Sequence, residues 1–550
     1  MKRKTKFDLW SIVGLLILGL YGIFLIFPMG NLLKQAVIDK DTGAFTLYYF
    51  VRFFSKPYYF NTLLNSFKVT IAVTILTLIV GTPLAYIFAR YEIKGKGLLR
   101  ILIILSSMSA PFVSAYSWIL LLGRNGVITN MFKNSLGIVL PDIYGFSGIL
   151  IVLTLQLYPL IFLYVSGALK NVDNSLLEAS ENLGTAGIKR FFKVLIPIIA
   201  PTLFAGGLLV FMRALADFGT PMLIGEGYRT FPVTIFNEFI SEMGGDDGFA
   251  AAISIIAILI TTIIFWAQQY ISNRKTFSMN AMNKIRPKKA EGLKNVLIHV
   301  FSYLLIGLSI MPQVYVIYTS FKNVEGLTFA PGHSFNNYVA AFTKVGSAIQ
   351  NTVIIPAISL VIIVFLSVLL AYISVRRSGV VAKILDSISM IPYIIPGSVI
   401  GITLLIAFNK RPIILSGTLA IMVIGLVIRR MPYTIRSTAA ILQQIPMSIE
   451  EAALSLGSSK AKAFYKVTMP MMAAGIISGA ILSWITMISE LSTAILLYTA
   501  RTRTLTVEIY TQIIRGNYGI AAALATILTV LTTISLLIFN HFSKDQDIAM

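Results

Sequence analysis

Residues 175–201 read SLLEASENLGTAGIKRFFKVLIPIIAP and residues 448–474 read SIEEAALSLGSSKAKAFYKVTMPMMAA, identical at 11 of 27 positions without a gap. Connecting segments ordinarily diverge faster than the elements they join, so a loop that repeats this well answers to something beyond chain connection. Working outward, Leu84-Ala85-Tyr86 meets Leu370-Ala371-Tyr372, and Arg229-Thr230 meets Arg503-Thr504. The chain is a tandem duplication, and the loop is its best-kept part.

Composition places the duplication in a bilayer. Of 550 residues 56% are apolar and only 12% charged, with mean hydropathy +0.82, whereas soluble domains carry about 25% charged residues. Apolar runs near 9–33, 63–89, 101–122, 146–167, 201–224, 250–271, 295–318, 352–375, 384–407, 414–428, 472–498 and 520–540 predict twelve transmembrane helices of about 20 residues each. The tenth run is short because Arg429 and Arg430 end it. The first run reads as a retained anchor, since Phe27-Pro28-Met29-Gly30 offers no small-x-small cleavage site.

Basic residues are retained on the cytoplasmic side during insertion. With the N-terminus inside, the inner segments carry 29 Lys and Arg against 14 outside, with Lys68 and Arg213 left within spans. Topology therefore accounts for the net charge of +22, and nucleic acid is excluded as a partner. Both termini and both repeated loops are expected in the cytoplasm. The polar, basic stretch 276–294 is a cytoplasmic linker between residues 1–275 and 295–550. Six spans per unit make the two copies parallel, related by a pseudo-twofold axis along the membrane normal. With no Cys and three scattered His, no metal or redox site is assigned. No Gly-x4-Gly-Lys-Ser/Thr occurs, so the chain is expected to be no enzyme and to hold no cofactor.

Within the loop, Ser175-x-x-Glu178 and Ser448-x-x-Glu451 have the pattern of capping boxes. Gly184 and Gly457 follow at the distance suited to a left-handed residue past a helix end. Each copy thus predicts a helix of about 15 Å outside the membrane. Its apolar positions, Leu177, Ala179 and Leu183 or Ala452, Leu454 and Leu456, are too few to anchor it in lipid, and it calls for a protein groove.

Glu178-Ala179-Ser180 followed by Gly184 and Pro197, and Glu451-Ala452-Ala453 followed by Gly457 and Pro470, resemble the signature loop of ABC importer permeases. Ser180 stands where the pattern has Ala, and Pro201 of the first copy is Ala474 in the second. The resemblance implies an all-α membrane protein with twelve transmembrane helices in two fused six-helix halves, the type I ABC importer permease fold. It implies that Ser175, Glu178, Ala179 and Gly184, and Ser448, Glu451, Ala452 and Gly457, couple to two cytoplasmic ATP-binding subunits, which hold the ATP and Mg. It also implies an extracytoplasmic solute-binding protein, and residence in a bacterial cytoplasmic membrane. Ala214-Leu-Ala-Asp-Phe-Gly-Thr-Pro221 followed by Arg229-Thr230 is similar to fused permeases of ferric-iron importers. Related fused permeases serve aminoethylphosphonate, sugar phosphates, thiamine and polyamines.

Arg213, Asp217 and Glu490 fall within apolar runs, where ionisable groups face a cavity or a partner. Arg213 and Asp217, four apart, are read as neighbours on one helix face, and Glu490 matches Asp217 in the second half. All three are assigned to a translocation pathway near the axis. Two readings of them stand: an Arg213–Asp217 pair that staples helices, or carboxylates that attract a hard cation such as Fe3+. Arg213 favours an anion instead, so the charges leave the substrate open. An ion-coupled secondary transporter also has two parallel halves, but it has no use for two matched docking elements.

Overall fold

The computed structural model describes residues 9–542 apart from 40–41, 109–110, 186, 241–245, 275–282, 284, 286 and 327. Residues 1–8 and 543–550, and much of the first part of the linker, lie outside the described residues. Hydrocarbon supplies no hydrogen-bond partner, so an apolar run must close its own backbone ladder as a helix. The first unit contains α1 (Leu9–Val37), α2 (Pro57–Arg90), α3 (Lys96–Met108), α4 (Pro111–Leu122), α5 (Phe146–Lys170), the short α6 (Asn174–Asn182), α7 (Gly187–Leu215) and α8 (Asp247–Arg274). The second repeats the order with α9 (Gly292–Ser320), α10 (Asn336–Arg376), α11 (Val380–Ile394), α12 (Gly397–Phe408), α13 (Leu419–Gln444), the short α14 (Met447–Ser455), α15 (Lys460–Met471), α16 (Ala473–Ile488) and α17 (Tyr518–Phe542).

Among the described residues eight helices are long and apolar enough to cross a membrane, and bent pairs raise the number to eleven. The bends fall at matching places, 102° between α3 and α4 and 111° between α11 and α12, with Pro111 and Pro396 at the breaks. A third bend of 67° separates α15 from α16. The tenth apolar run lies in α13, a 26-residue helix that continues through Arg429 and Arg430 instead of ending there. Those two arginines therefore leave the inner tally, which still stands near twice the outer one. The all-α expectation needs one correction, an antiparallel hairpin of β1 (Lys322–Glu325) and β2 (Thr328–His333) after α9. These residues lie outside every apolar run, and Gly326, at φ +60°, supports the tight connection.

Each unit lends its first helix to the other. α1 packs on α10, α11 and α12, while α9 packs on α3, α4 and α5. Trp10 of α1 meets Tyr372 at 4.3 Å and Phe464 at 4.7 Å between ring centroids. Within each unit the helices cross closely at small residues. A Cβ on Gly81 would stand 2.9 Å from the Tyr158 carbonyl oxygen, and at the equivalent crossing Ser367 donates a hydrogen bond to the Met431 carbonyl. Gly479 is tighter still, with Thr434 Cα 2.6 Å from the position of a Cβ.

Matching π-turns at Phe191–Leu195 and Phe464–Thr468 lead into Pro197 and Pro470. A proline ring clashes with the carbonyl four residues back in a regular helix, and the widened turn removes that clash.

Gly479→Ala should cost about 1–3 kcal/mol because a backbone atom must give way. Gly307→Ala, where a Cβ meets nothing within 4 Å, should cost none. Thermal unfolding of both purified variants in one detergent checks the difference.

Candidate functional site

The two short helices present the same face. In α6 Ser175, Glu178, Ala179, Asn182 and Leu183 are exposed, and in α14 Ser448, Glu451, Ala452, Ser455 and Leu456 are exposed. This spacing of i, i+3, i+4, i+7 and i+8 is one stripe of a helix. Leu183 and Leu456, 85% and 88% exposed, are the most exposed large apolar side chains among the described residues. Gly184 and Gly457 follow at φ +78° and +86°, the left-handed closure expected of them.

The capping boxes are absent. α6 begins at Asn174, and Asp173 is its cap, accepting hydrogen bonds from the Ser175 amide at 2.9 Å and the Ser175 hydroxyl at 2.8 Å. Glu178 instead accepts from the Asn174 side-chain amide at 2.6 Å. α14 begins at Met447 after Pro446, with no side-chain cap. The physical reason is competition: a carboxylate two residues upstream outbids the Ser175 hydroxyl for the free amides. In the second copy Pro446 and Met447 already carry the helix start past Ser448. On the other side of α6, Arg190 bonds to Glu181 at 2.7 Å and holds its carboxyl below the usual carboxylate range through that charged hydrogen bond.

Both helices are tied to the second span of their unit by an arginine. Arg90 donates to Asn174 Oδ1 at 3.3 Å. Arg376 donates to the Ile445 carbonyl at 2.7 Å and lies 3.8 Å from the Glu450 carboxylate. Glu450 is buried and also takes hydrogen bonds from Tyr372 and Thr468. The linker adds a tie in the first unit, where Asn283 exchanges bonds with Asn174 and Asp173 and Lys288 pairs with the chain beside Tyr91.

A second polar cluster lies half way along α13. Glu490 is ion-paired to Arg429 and Arg430 together, and Arg429 also donates to the Ser492 and Thr493 hydroxyls at 2.8 and 2.7 Å. Gly397, the first residue of α12, is pressed against the Arg429 guanidinium, leaving no room for a Cβ. The Arg213–Asp217 pairing is not formed. α7 ends at Leu215, so the two residues do not share a helix face. Asp217 instead accepts from the Thr220 amide at 3.3 Å and its hydroxyl at 2.9 Å. The match with Glu490 holds, because Glu490 accepts from the Thr493 amide at 3.0 Å in the same way. Arg213 is exposed, with Tyr164 of α5, Tyr393 of α11 and Tyr433 of α13 in its electrostatic surroundings. Those partners come from both units, so Arg213 lies where the two units face each other.

Two segments, residues 81–277 and 363–547, match the family model described as binding-protein-dependent transport system inner membrane component. The chain belongs to that family. Each match begins within the second helix of its unit, so the exchanged helices α1 and α9 lie outside the shared part. The chain is similar to the ferric transport system permease protein FbpB of Actinobacillus pleuropneumoniae, 28% identical over all of this chain and 80% of that protein. A putative ferric transport system permease protein FbpB 1 of Haemophilus influenzae is 28% identical over 90% of this chain and 79% of its own length. The spermidine/putrescine transport system permease protein PotB of Salmonella typhimurium aligns at 25% identity with 50% of this chain and 98% of itself. The protein is thus an inner-membrane transport component, with two permease units in one chain.

The sequence reading missed Arg90, Arg376 and Glu450. A signal for the arginines was present, since both stand four residues after the Leu-Ala-Tyr repeat, at Arg90 and Arg376. Glu450 was hidden by its neighbour, because Glu451 aligns with Glu178 and leaves Glu450 opposite the buried Leu177.

Glu490→Gln strips two buried guanidiniums of their counter-charge and should cost about 3–5 kcal/mol. Asp217→Asn exchanges only hydrogen bonds to Thr220 and should cost about 1 kcal/mol. Melting of the two variants in detergent should separate them in that order.

Proposed function

We propose that this chain is the transmembrane permease of an ATP-driven, binding-protein-dependent importer of ferric iron. Its twelve spans comprise the eight long helices, the three bent pairs and α13, with termini, linker and both short helices in the cytoplasm. α6 and α14 each seat in a groove of one of two ATP-binding subunits, through Ser175, Glu178, Ala179 and Gly184 and through Ser448, Glu451, Ala452 and Gly457. A solute-binding protein delivers substrate on the opposite side. The observation that carries this reading is the exposed stripe repeated at the same spacing in both units and ending on Leu183 and Leu456. A secondary transporter gains nothing from two bare leucines held in water. Similarity over the whole chain to a ferric transport permease supports iron as the cargo.

ATP and Mg belong to the partner subunits. Driving a gate from 1:99 to 99:1 takes roughly 5.5 kcal/mol of differential binding, which closure of a nucleotide-bound dimer on two docked helices supplies. Arg213, Asp217 and Glu490 stand on the translocation route, where the two units meet.

Leu183→Asp combined with Leu456→Asp should leave folding intact, since both side chains are exposed, yet lower ATP-dependent iron uptake more than 10-fold. Replacing Glu178 and Glu451 together by Ala should act in the same direction. Uptake in proteoliposomes holding this chain without any ATPase would contradict the reading, as would failure of two ATP-binding subunits to co-purify with the wild-type chain.

A further inference from the structure

The region where the two units meet has a charge surplus that the ion pairs do not absorb. Arg429 commits its Nη1 to Glu490, Ser492 and Thr493. Arg430 shares the same Glu490 carboxylate, so one positive charge remains over, and its Nε is buried without a hydrogen-bond partner. Arg213 adds a second positive charge and, among the described residues, makes no ion pair. Asp217 is turned to Thr220 in its own unit, and counting it still leaves the region positive.

Phenols complete the lining. Tyr393 and Tyr433 lie 5.4 Å apart between ring centroids, Arg430 sits 5.9 Å over the Tyr433 ring, and both tyrosines are partly exposed. Guanidinium groups with hydroxyl donors at close range are the chemistry that holds oxyanions. A bare trivalent cation entering the same space meets a net positive charge at low dielectric, where repulsion is strong.

We propose that Arg213 and Arg430, with Tyr393 and Tyr433, form an oxyanion-binding site in this region. Iron, on the reading given above, then passes only with its charge covered by phosphate or carboxylate ligands. The surplus charge attracts the complex, and the phenols donate to its outer oxygens.

The test uses the full chain in lipid nanodiscs and radiolabelled inorganic phosphate as probe. Wild type should bind it saturably, and Arg213→Gln, at an exposed position, should weaken binding at least 10-fold with an unchanged melting temperature. Arg213→Lys should recover part of it. Phosphate binding that is absent, or equal in wild type and Arg213→Gln, overturns the site. So does saturable binding of gallium(III) without any anion that is lost in Glu490→Gln. Iron uptake by the reconstituted importer separates the two layers. Phosphate bound and lost as expected, with no iron transported in any complex, sinks the iron reading and leaves the anion site. Full iron uptake by Arg213→Gln does the reverse.

Discussion

Buried guanidinium groups must find partners, and in each unit the arginine closing the second span finds them on the chain that enters the short helix. Arg90, itself buried, takes Asn174, and Arg376 takes the Ile445 carbonyl with Glu450 alongside. A charge withdrawn from water cannot release such a contact without a cost of several kcal/mol. The short helix and the long span therefore move as one piece. α2 has 34 residues, and α10 has 41 with one kink at Val345, so on the proposed docking a push on the inner end travels along most of the span before it meets a joint. The close crossings at Gly81 and Ser367 pass it on to α5 and α13.

Much of this was legible from the residues because membrane folding obeys few rules. Among the described residues the apolar runs became eight membrane-length helices, or eleven with the bent pairs, and the repeated loop became two short helices closed by Gly184 and Gly457. What failed depended on competition between near neighbours. Asp173 displaced Ser175 as a cap, and Pro446 moved the start of α14 ahead of Ser448. Helix ends decided the intramembrane charges as well. A spacing of four between Arg213 and Asp217 means proximity only while the helix lasts, and it stops at Leu215. Arg429 and Arg430 looked like the end of a span because a pair of arginines in lipid is costly. Their counter-charge lies sixty residues away in sequence, on Glu490, and no local pattern reports it.

The linker also distinguishes the two units. Asn283 bonds to the start of α6, and Lys288 extends the chain beside Tyr91 as an added strand-like pairing. Among the described residues α14 has no such tie and is fixed by the buried Glu450 with Tyr372, Arg376 and Thr468. The same outward stripe is thus supported from behind by a backbone clamp in one unit and by an ionic one in the other. On the proposed docking a common external partner constrains the outer face, whereas the inner face needs only to be satisfied.

The same freedom explains the centre of the molecule. By the spacing of the repeat, Arg429 and Arg430 stand opposite Gln156 and Leu157, and Arg213 stands opposite Thr486. The prolines at 159 and 432 and the acid-to-threonine bonds at 217 and 490 keep the two frames in register across these differences. Two identical units would double every charge. A pair of second units would set four arginines against two glutamates around one axis, and a pair of first units would supply one exposed arginine from each side with no buried ion pair to order the region between them. Fusion into one chain removes that constraint. It permits one unit to supply a fixed, self-bonded charge network and the other a single exposed arginine facing it. The region where they meet therefore has a defined polarity from one unit to the other, which a symmetric dimer is unable to build.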